Sequence, residues 1–223
     1  MIASNRPIAP VKYRFVAILI IAIVCLLLTG TASTVYAQVA RTRLTAKEMG
    51  LVINTADPYS VAVGEYYAQR RGIPAEQVLR LSLPVKANLG VIEFDALAQQ
   101  VRDFMGPHVQ ALALAWVEPY AVECNSITSA LTLGYQALAC SNTCAPTATS
   151  RLFNSNTLNP WTDLGARPSM LLASGSVPLA KAMIDRGVAS DQQLGKRGVP
   201  IANAVFVHTT DSARNVRSRL YPG

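Results

Sequence analysis

The stretch MGLVINTADPYSVAVGEYYAQRRG, residues 49–72, decides the fold because it has the pattern of one strand followed by one helix. Its first six residues form an apolar run that ends at Asn54, as a buried strand would. Asp57 then supplies a helix N-cap and Pro58 a first-turn proline. Gly72 suits the left-handed residue that follows a helix. The stretch therefore predicts a βα unit.

Strand and helix signals continue to alternate along the chain. Residues 78–83 alternate apolar and polar side chains, and apolar residues recur at helical spacing between Phe94 and Met105. The segment ALALAWV, residues 111–117, is apolar on both faces, which indicates a central strand of a parallel sheet. This alternation predicts an α/β fold, a three-layer sandwich with a mainly parallel sheet.

The pattern becomes irregular after residue 118 and regular again near residue 167. We predict a short helix at residues 127–138 and an irregular insertion at about 139–166. Beyond it, SMLLAS (169–174) predicts a strand, SVPLAKAMIDRG a helix from Ser176 to Gly187, and NAVFVH (203–208) a further strand before a last helix. We assign residues 49–223 to a single α/β domain.

The N-terminus has the pattern of a secretory signal. Three basic residues precede an apolar run at residues 15–28, and small residues at Val35-Tyr36-Ala37 supply a cleavage site. The run is shorter than the ~18 residues that a membrane-spanning helix needs. We therefore predict a signal peptide at residues 1–37, a flexible tail at 38–48, and a periplasmic or extracellular protein. Membrane contact is expected only if the signal is retained.

The charge of the chain is mildly basic and dispersed. The formal net charge is +7, from 20 basic and 13 acidic residues, and three basic residues leave with the signal. The remaining 17 against 13 give +4, and no stripe of basic residues interleaved with aromatic ones appears. This pattern predicts no nucleic-acid partner.

Three cysteines follow the signal: Cys124, Cys140 and Cys144. An oxidising compartment favours a disulfide between two of them, and the close spacing of Cys140 and Cys144 predicts a clamp on the irregular loop. A zinc site would need further ligands, and the two histidines, His108 and His208, are distant in sequence. We predict no metal site.

Parallel sheets bind ligands beyond the carboxyl ends of their strands, so polar residues after strands are the site candidates. The binding candidates are Asp57 and Ser60 after the first strand, Tyr120 after the third and Asp211 after the fifth. For Asp57 the alternative is a purely structural helix cap. No Gly-x-Gly loop follows the first strand, so we predict no dinucleotide and no other cofactor.

A thiol hydrolase is one hypothesis for the chemistry. In it Cys124 attacks a carbonyl, His208 takes the proton, and Asp211 or Glu118 orients the imidazole. The structural alternative is that Cys124 staples the loop and His208 hydrogen-bonds the last helix. The sequence leaves both open.

Glu118 directly follows an apolar strand and precedes Pro119. A carboxylate in that position can act as an acid or a base. It can equally pair with an arginine of the loop, such as Arg151 or Arg167.

Several segments resemble a known family, among them NTADPYSVAVGEYYAQRRGIPAEQVLRL, WVEPYAVECNSITSALTLGY, RPSMLLAS, AKAMIDRGV and HTTDSARNVRS. They are similar to an uncharacterised family of secreted bacterial proteins from species with the exosortase protein-sorting system. The resemblance spans Met49 to Tyr221. It implies export and a link to the envelope or extracellular matrix, but no known activity. Family members continue with a glycine-rich, acidic, cysteine-containing segment, so we expect this chain to lack the C-terminal part of the fold.

Two functional hypotheses follow. The first is an envelope-associated accessory or binding protein that contacts an envelope protein or a polysaccharide through residues 118–163. The second is a secreted, peptidase-like thiol hydrolase built on Cys124. In either case we predict that residues 141–157 can be deleted without unfolding the core.

Overall fold

The first strand and helix lie where the sequence places them. The computed structural model describes residues 43–141, 149–191, 193 and 210. Strand β1 spans Met49–Asn54 and helix α1 spans Pro58–Arg71. The Asp57 carboxylate accepts a hydrogen bond from the Tyr59 N–H, and Gly72 ends the helix in the left-handed conformation, with φ 64°. The predicted βα unit is confirmed.

The other elements continue the alternation of strands and helices. They are β2 (Val78–Leu81), β3 (Asn88–Leu89), α2 (Val91–Phe104), β4 (Ala111–Leu114), β5 (Ala121–Val122), β6 (Asn125–Ser126), α3 (Ile127–Leu133), α4 (Leu138–Ser141), α5 (Pro160–Leu164), β7 (Ser169–Leu171) and α6 (Val177–Ala189). Single 3-10 turns form at Ala46–Glu48 and Ala75–Gln77. The first turn lies in the segment that we assigned to a flexible tail, and Thr45 and Glu48 cap it reciprocally.

The main sheet has four parallel strands in the order β2-β1-β4-β7. Strand β1 pairs with β2 on one side and β4 on the other, and β4 pairs with β7. The central position predicted for the segment at 111–117 is confirmed, although the strand ends at Leu114. Trp116 lies two residues beyond it and is fully buried.

Each face of the sheet packs against helices. Leu51 and Ile53 of β1 share one core with Val63 of α1 and Ile184 of α6. On the opposite face, Val52 of β1 packs in a second core with β4, α2 and α3 residues, including Leu112, Leu97 and Ile127. The sheet is therefore the middle layer of three, and the α/β fold is the one that the sequence predicts.

A second, small sheet was not predicted. Strand β3 pairs in parallel with β5, and β5 pairs antiparallel with β6. The Tyr120 N–H also donates to the Ala87 carbonyl, which extends the contact by one residue. Strands of two residues are too short to show any hydrophobic periodicity, so no sequence pattern predicts them.

Several predicted boundaries are wrong, and one is the strand predicted at 169–174, which ends at Leu171. The helix predicted at 127–138 ends at Leu133, because Gly134 leaves the helical region with φ 93°. Helix α6 continues past Gly187, which has no positive φ, as far as Ala189. Strand β2 ends at Leu81 and not at residue 83. The predicted strand at 203–208 and the last helix lie outside the described residues. Among the described residues, no helix is long and apolar enough to cross a membrane.

Candidate functional site

The carboxyl ends of β1, β4 and β7 lie side by side at one edge of the sheet. The chain leaves β1 into α1 on one face, whereas the helix that leads into β4, α2, lies on the other face. The gap between β1 and β4 is therefore the point where the sheet changes its winding direction, which is where doubly wound folds bind ligands. The loops at 54–58, 115–120 and 172–176 surround this gap.

The buried side chain of Asn54 holds the loop after β1 in place through hydrogen bonds. It is fully buried, its Nδ2 donates to the Leu83 carbonyl at 3.1 Å, and its Oδ1 accepts from the Leu83 N–H at 2.9 Å and the Ala56 N–H at 3.1 Å. The Asn54 N–H donates to the hydroxyl of Ser60, which is also fully buried. Ser60 is therefore a structural residue, and its prediction as a binding residue is wrong because no ligand can reach its side chain.

Asp57 and Tyr59 fix the start of α1. The cap predicted for Asp57 is confirmed, with Oδ1 accepting from the Tyr59 N–H at 2.9 Å. The Tyr59 hydroxyl donates to the Leu172 carbonyl at 2.9 Å, which ties the helix to the end of β7. Burial raises the pKa of Tyr59, the negative charge of Asp57 raises it further, and a hydrogen bond with the Ser174 backbone opposes both. Tyr59 therefore stays protonated and links the start of α1 to the loop after β7.

The segment after β4 presents side chains to solvent. The Trp116 indole N–H donates to the Pro119 carbonyl at 2.8 Å, and the Glu118–Pro119 peptide bond is cis. Val117 is 37% exposed and Tyr120 is 49% exposed. The ring of Tyr120 is therefore accessible to a ligand, and its role as a binding residue stays a prediction.

Glu118 has no ion pair within the described part of the chain. Its predicted pairing with a loop arginine is wrong, because both arginines bind carbonyl groups instead. Arg151 donates to the Leu164 carbonyl at 2.7 Å, and Arg167 donates to the carbonyls of Val109, Met105 and Gly106 at 2.8–2.9 Å. The Glu118 carboxylate is consequently left to solvent or to a ligand.

Cys124 and Cys140 form a disulfide across 16 residues of sequence. The role of Cys124 as a catalytic nucleophile is therefore contradicted, because a disulfide sulfur has no thiolate to attack with. The predicted clamp between Cys140 and Cys144 is also wrong, since Cys140 pairs with Cys124, and Cys144 lies outside the described residues. Helix α3 and the turn after it bring the two paired cysteines together.

The other members of the predicted catalytic group, His208 and Asp211, lie outside the described residues. Within the part of the chain that the structure describes, no three His, Cys, Asp or Glu side chains are close enough to hold a metal ion. Among the described residues, the loop after β1 carries the Asp57 carboxylate, and the segment after β4 carries the Glu118 carboxylate and the exposed ring of Tyr120.

A second concave region lies between α2 and α3, on one face of the sheet and not at its carboxyl edge. It has a volume of about 460 Å³ and is lined by Arg102, Arg151 and Arg167 among other residues. Sequence reasoning considered Arg167 only as a partner for Glu118. An arginine that binds backbone carbonyls leaves no sequence signal, because every residue supplies a carbonyl.

Comparison with known proteins gives this chain no relative. No family model, no curated protein and no solved structure matches it.

Proposed function

We propose that this chain is an exported binding protein that holds a polysaccharide at the carboxyl edge of its sheet. The observation that carries the proposal is the exposed ring of Tyr120, at 49% exposure, on a segment that is held on both sides. The Trp116–Pro119 hydrogen bond precedes the ring, and the small sheet with the Cys124–Cys140 disulfide follows it. A ring held in this way loses little conformational freedom when it binds.

The chemistry of the edge favours sugar over an apolar protein surface. A tyrosine ring offers an apolar face and a polar hydroxyl, which suits a pyranose ring with its apolar face and hydroxyl rim. The carboxylates of Asp57 and Glu118 accept hydrogen bonds, and neither forms an ion pair among the described residues. Carboxylates without cations are available to sugar hydroxyls.

The export part of the proposal rests on the sequence and on the disulfide. Residues 1–37 have the pattern of a signal, and a disulfide is compatible with an oxidising compartment. The resemblance to secreted, exosortase-associated proteins supports an envelope or extracellular location. Fractionation of cells that produce the tagged chain tests it. The protein should appear in the periplasm or the medium without residues 1–37, and a reduced protein in the cytoplasm would contradict export.

Binding is tested with the exopolysaccharide purified from the producing cells. Titration calorimetry should show binding by the wild type, and Tyr120→Ala should weaken the affinity about tenfold, or ~1.4 kcal/mol. Phe153→Ala is the matched control, because Phe153 is an exposed aromatic residue (69%) that belongs to none of the three loops at the carboxyl edge. Equal binding by the wild type and Tyr120→Ala would refute the role of the edge. Cross-linking of residue 120 to an envelope protein instead would replace the polysaccharide with a protein partner.

The hydrolase hypothesis receives no support from the described residues. If the exported protein is mapped under non-reducing conditions, a peptide that joins Cys124 to Cys140 is expected. A Cys124 that reacts with iodoacetamide near neutral pH without prior reduction would revive the hydrolase.

A further inference from the structure

The cleft between α2 and α3 combines an apolar floor with a cationic rim. Its floor includes Phe94, Val101, Leu112 and Ala130, each at most 3% exposed. Leu112 belongs to the first half of β4, so the cleft lies toward the start of the strand and apart from the carboxyl edge. Its volume of about 460 Å³ falls within the range of roughly 300–1,000 Å³ typical of small-molecule sites.

Arg167 is the most deeply placed charge in the cleft. It is only 3% exposed, and its guanidinium carbon lies 3.8 Å from the centroid of the Trp161 ring. Its Nε and Nη2 donate to three carbonyls at the end of α2 and in the connection to β4. Its Nη1 donates to no acceptor among the described residues, so this nitrogen is available for a further partner.

The buried charge has no counterion in the described chain. Every acceptor of Arg167 is a neutral carbonyl, and burial lowers the pKa of its guanidinium to about 10. The group is still protonated near neutral pH, so a desolvated positive charge remains. Buried charges are normally paired, because the charged form is costly without an opposite charge or enough hydrogen bonds.

The other charges around the cleft add to this excess. Arg102 donates to the amide oxygen of Gln99, and Arg151 donates to the Leu164 carbonyl. Neither arginine forms an ion pair with a described residue. Asp95 is the only acidic residue among the described lining residues, against three arginines. The rim therefore carries a local excess of positive charge.

We propose that this cleft binds a small organic anion with an apolar body, a carboxylate attached to an alkyl or aryl group. The carboxylate is positioned beside Nη1 of Arg167 with Arg102 and Arg151 nearby, and the apolar part lies against the partly exposed lining side chains of Val91, Leu131 and Tyr135. An anion alone would leave these apolar side chains in contact with water, and a neutral apolar molecule would leave the arginines without a counterion. The site is independent of the polysaccharide surface around Tyr120.

The test compares two probes with the same apolar body, octanoate and 1-octanol, on the full-length exported protein. By calorimetry at low salt, octanoate should bind at least tenfold more tightly than octanol, and added salt should reduce the difference. In ¹⁵N NMR spectra, octanoate but not octanol should shift the guanidinium signals of Arg167. This measurement leaves Arg167 in place. Its substitution would also remove the hydrogen bonds that hold the α2–β4 connection.

Substitution of the exposed arginines tests the rim. The double variant Arg102→Gln/Arg151→Gln should lose at least tenfold in octanoate affinity and leave octanol binding unchanged. The matched control, Arg80→Gln/Arg186→Gln, removes the same charge from residues that do not line the cleft and should keep the wild-type affinity. Equal affinities for the two probes, an equal loss in the control variant, or no octanoate-specific shift at Arg167 would overturn the proposal.

Discussion

Asn54→Ala should destabilise the protein strongly, although this residue contacts no ligand. Its side chain satisfies both the N–H and the carbonyl of Leu83, a residue that is only 6% exposed. A buried polar group without a partner costs about 1–3 kcal/mol. Two such groups give an expected loss of about 4 kcal/mol. The third group, the Ala56 N–H, belongs to an exposed residue and can bind water, so it adds little.

Urea titration followed by circular dichroism measures this loss, with an unchanged m-value as the sign that stability alone has changed. At roughly 2–4 °C per kcal/mol, the melting temperature should fall by about 8–16 °C. Asn54→Asp, of nearly the same shape, should also destabilise, because an oxygen replaces the Nδ2 donor that faces the Leu83 carbonyl. Thr55→Ala is the matched control. It removes the hydroxyl of an exposed residue, which donates to the Leu81 carbonyl in a part-buried hydrogen bond, and should cost about 1 kcal/mol. An Asn54→Ala protein as stable as this control would refute the reasoning.

Three further predictions concern stability. The double variant Cys124→Ser/Cys140→Ser should lower the unfolding free energy by about 3 kcal/mol, because the disulfide closes a loop of 16-residue separation; an unchanged urea midpoint would count against it. Gly64→Ala should cost about 1–3 kcal/mol in the same assay, since its Cβ would come within 2.6 Å of a β1 side chain, whereas Gly175→Ala, with 3.9 Å to its nearest neighbour, should be neutral. The pKa of Asp185 is lowered by hydrogen bonds from a tyrosine and an arginine of α1, so its stabilising contribution is present above the ordinary value of 3.8 and is lost as the pH falls through the folded-state pKa. A stability profile between pH 7 and 2 should therefore be flatter at its acid end for Asp185→Asn, and identical profiles would show that this carboxylate does not contribute.

The elements that the sequence predicted well are those with local causes. Strand β1 and helix α1 are marked by an apolar run, the Asp57 cap and Gly72, all within 24 residues. The central place of β4 followed from apolar side chains on both of its faces. Helix ends were predicted wrongly where the backbone conformation of one glycine determines whether the helix stops, as at Gly134 and Gly187.

The candidate site was harder to predict because it depends on contacts between distant residues. In the sequence, Cys144 is nearer than Cys124 to Cys140. In the structure, helix α3 and the turn after it bring Cys140 next to Cys124. Ser60 follows a strand as a binding residue would, but its hydroxyl is turned inward to the Asn54 N–H. The bonds of Arg167 to carbonyls about 60 residues earlier have no counterpart in local sequence.

The contacts that α1 makes with α6 and with the end of β7 should hold the protein together after a single cut in the chain. Arg151 is exposed and offers trypsin a cleavage site in the insertion, after both paired cysteines. The two pieces would still share the β4–β7 ladder, the bond from the Tyr59 hydroxyl to the Leu172 carbonyl, and the bonds of Tyr66 and Arg70 to Asp185. A protein nicked at this position should therefore elute from a sizing column as one particle, and its two fragments should part only in denaturant.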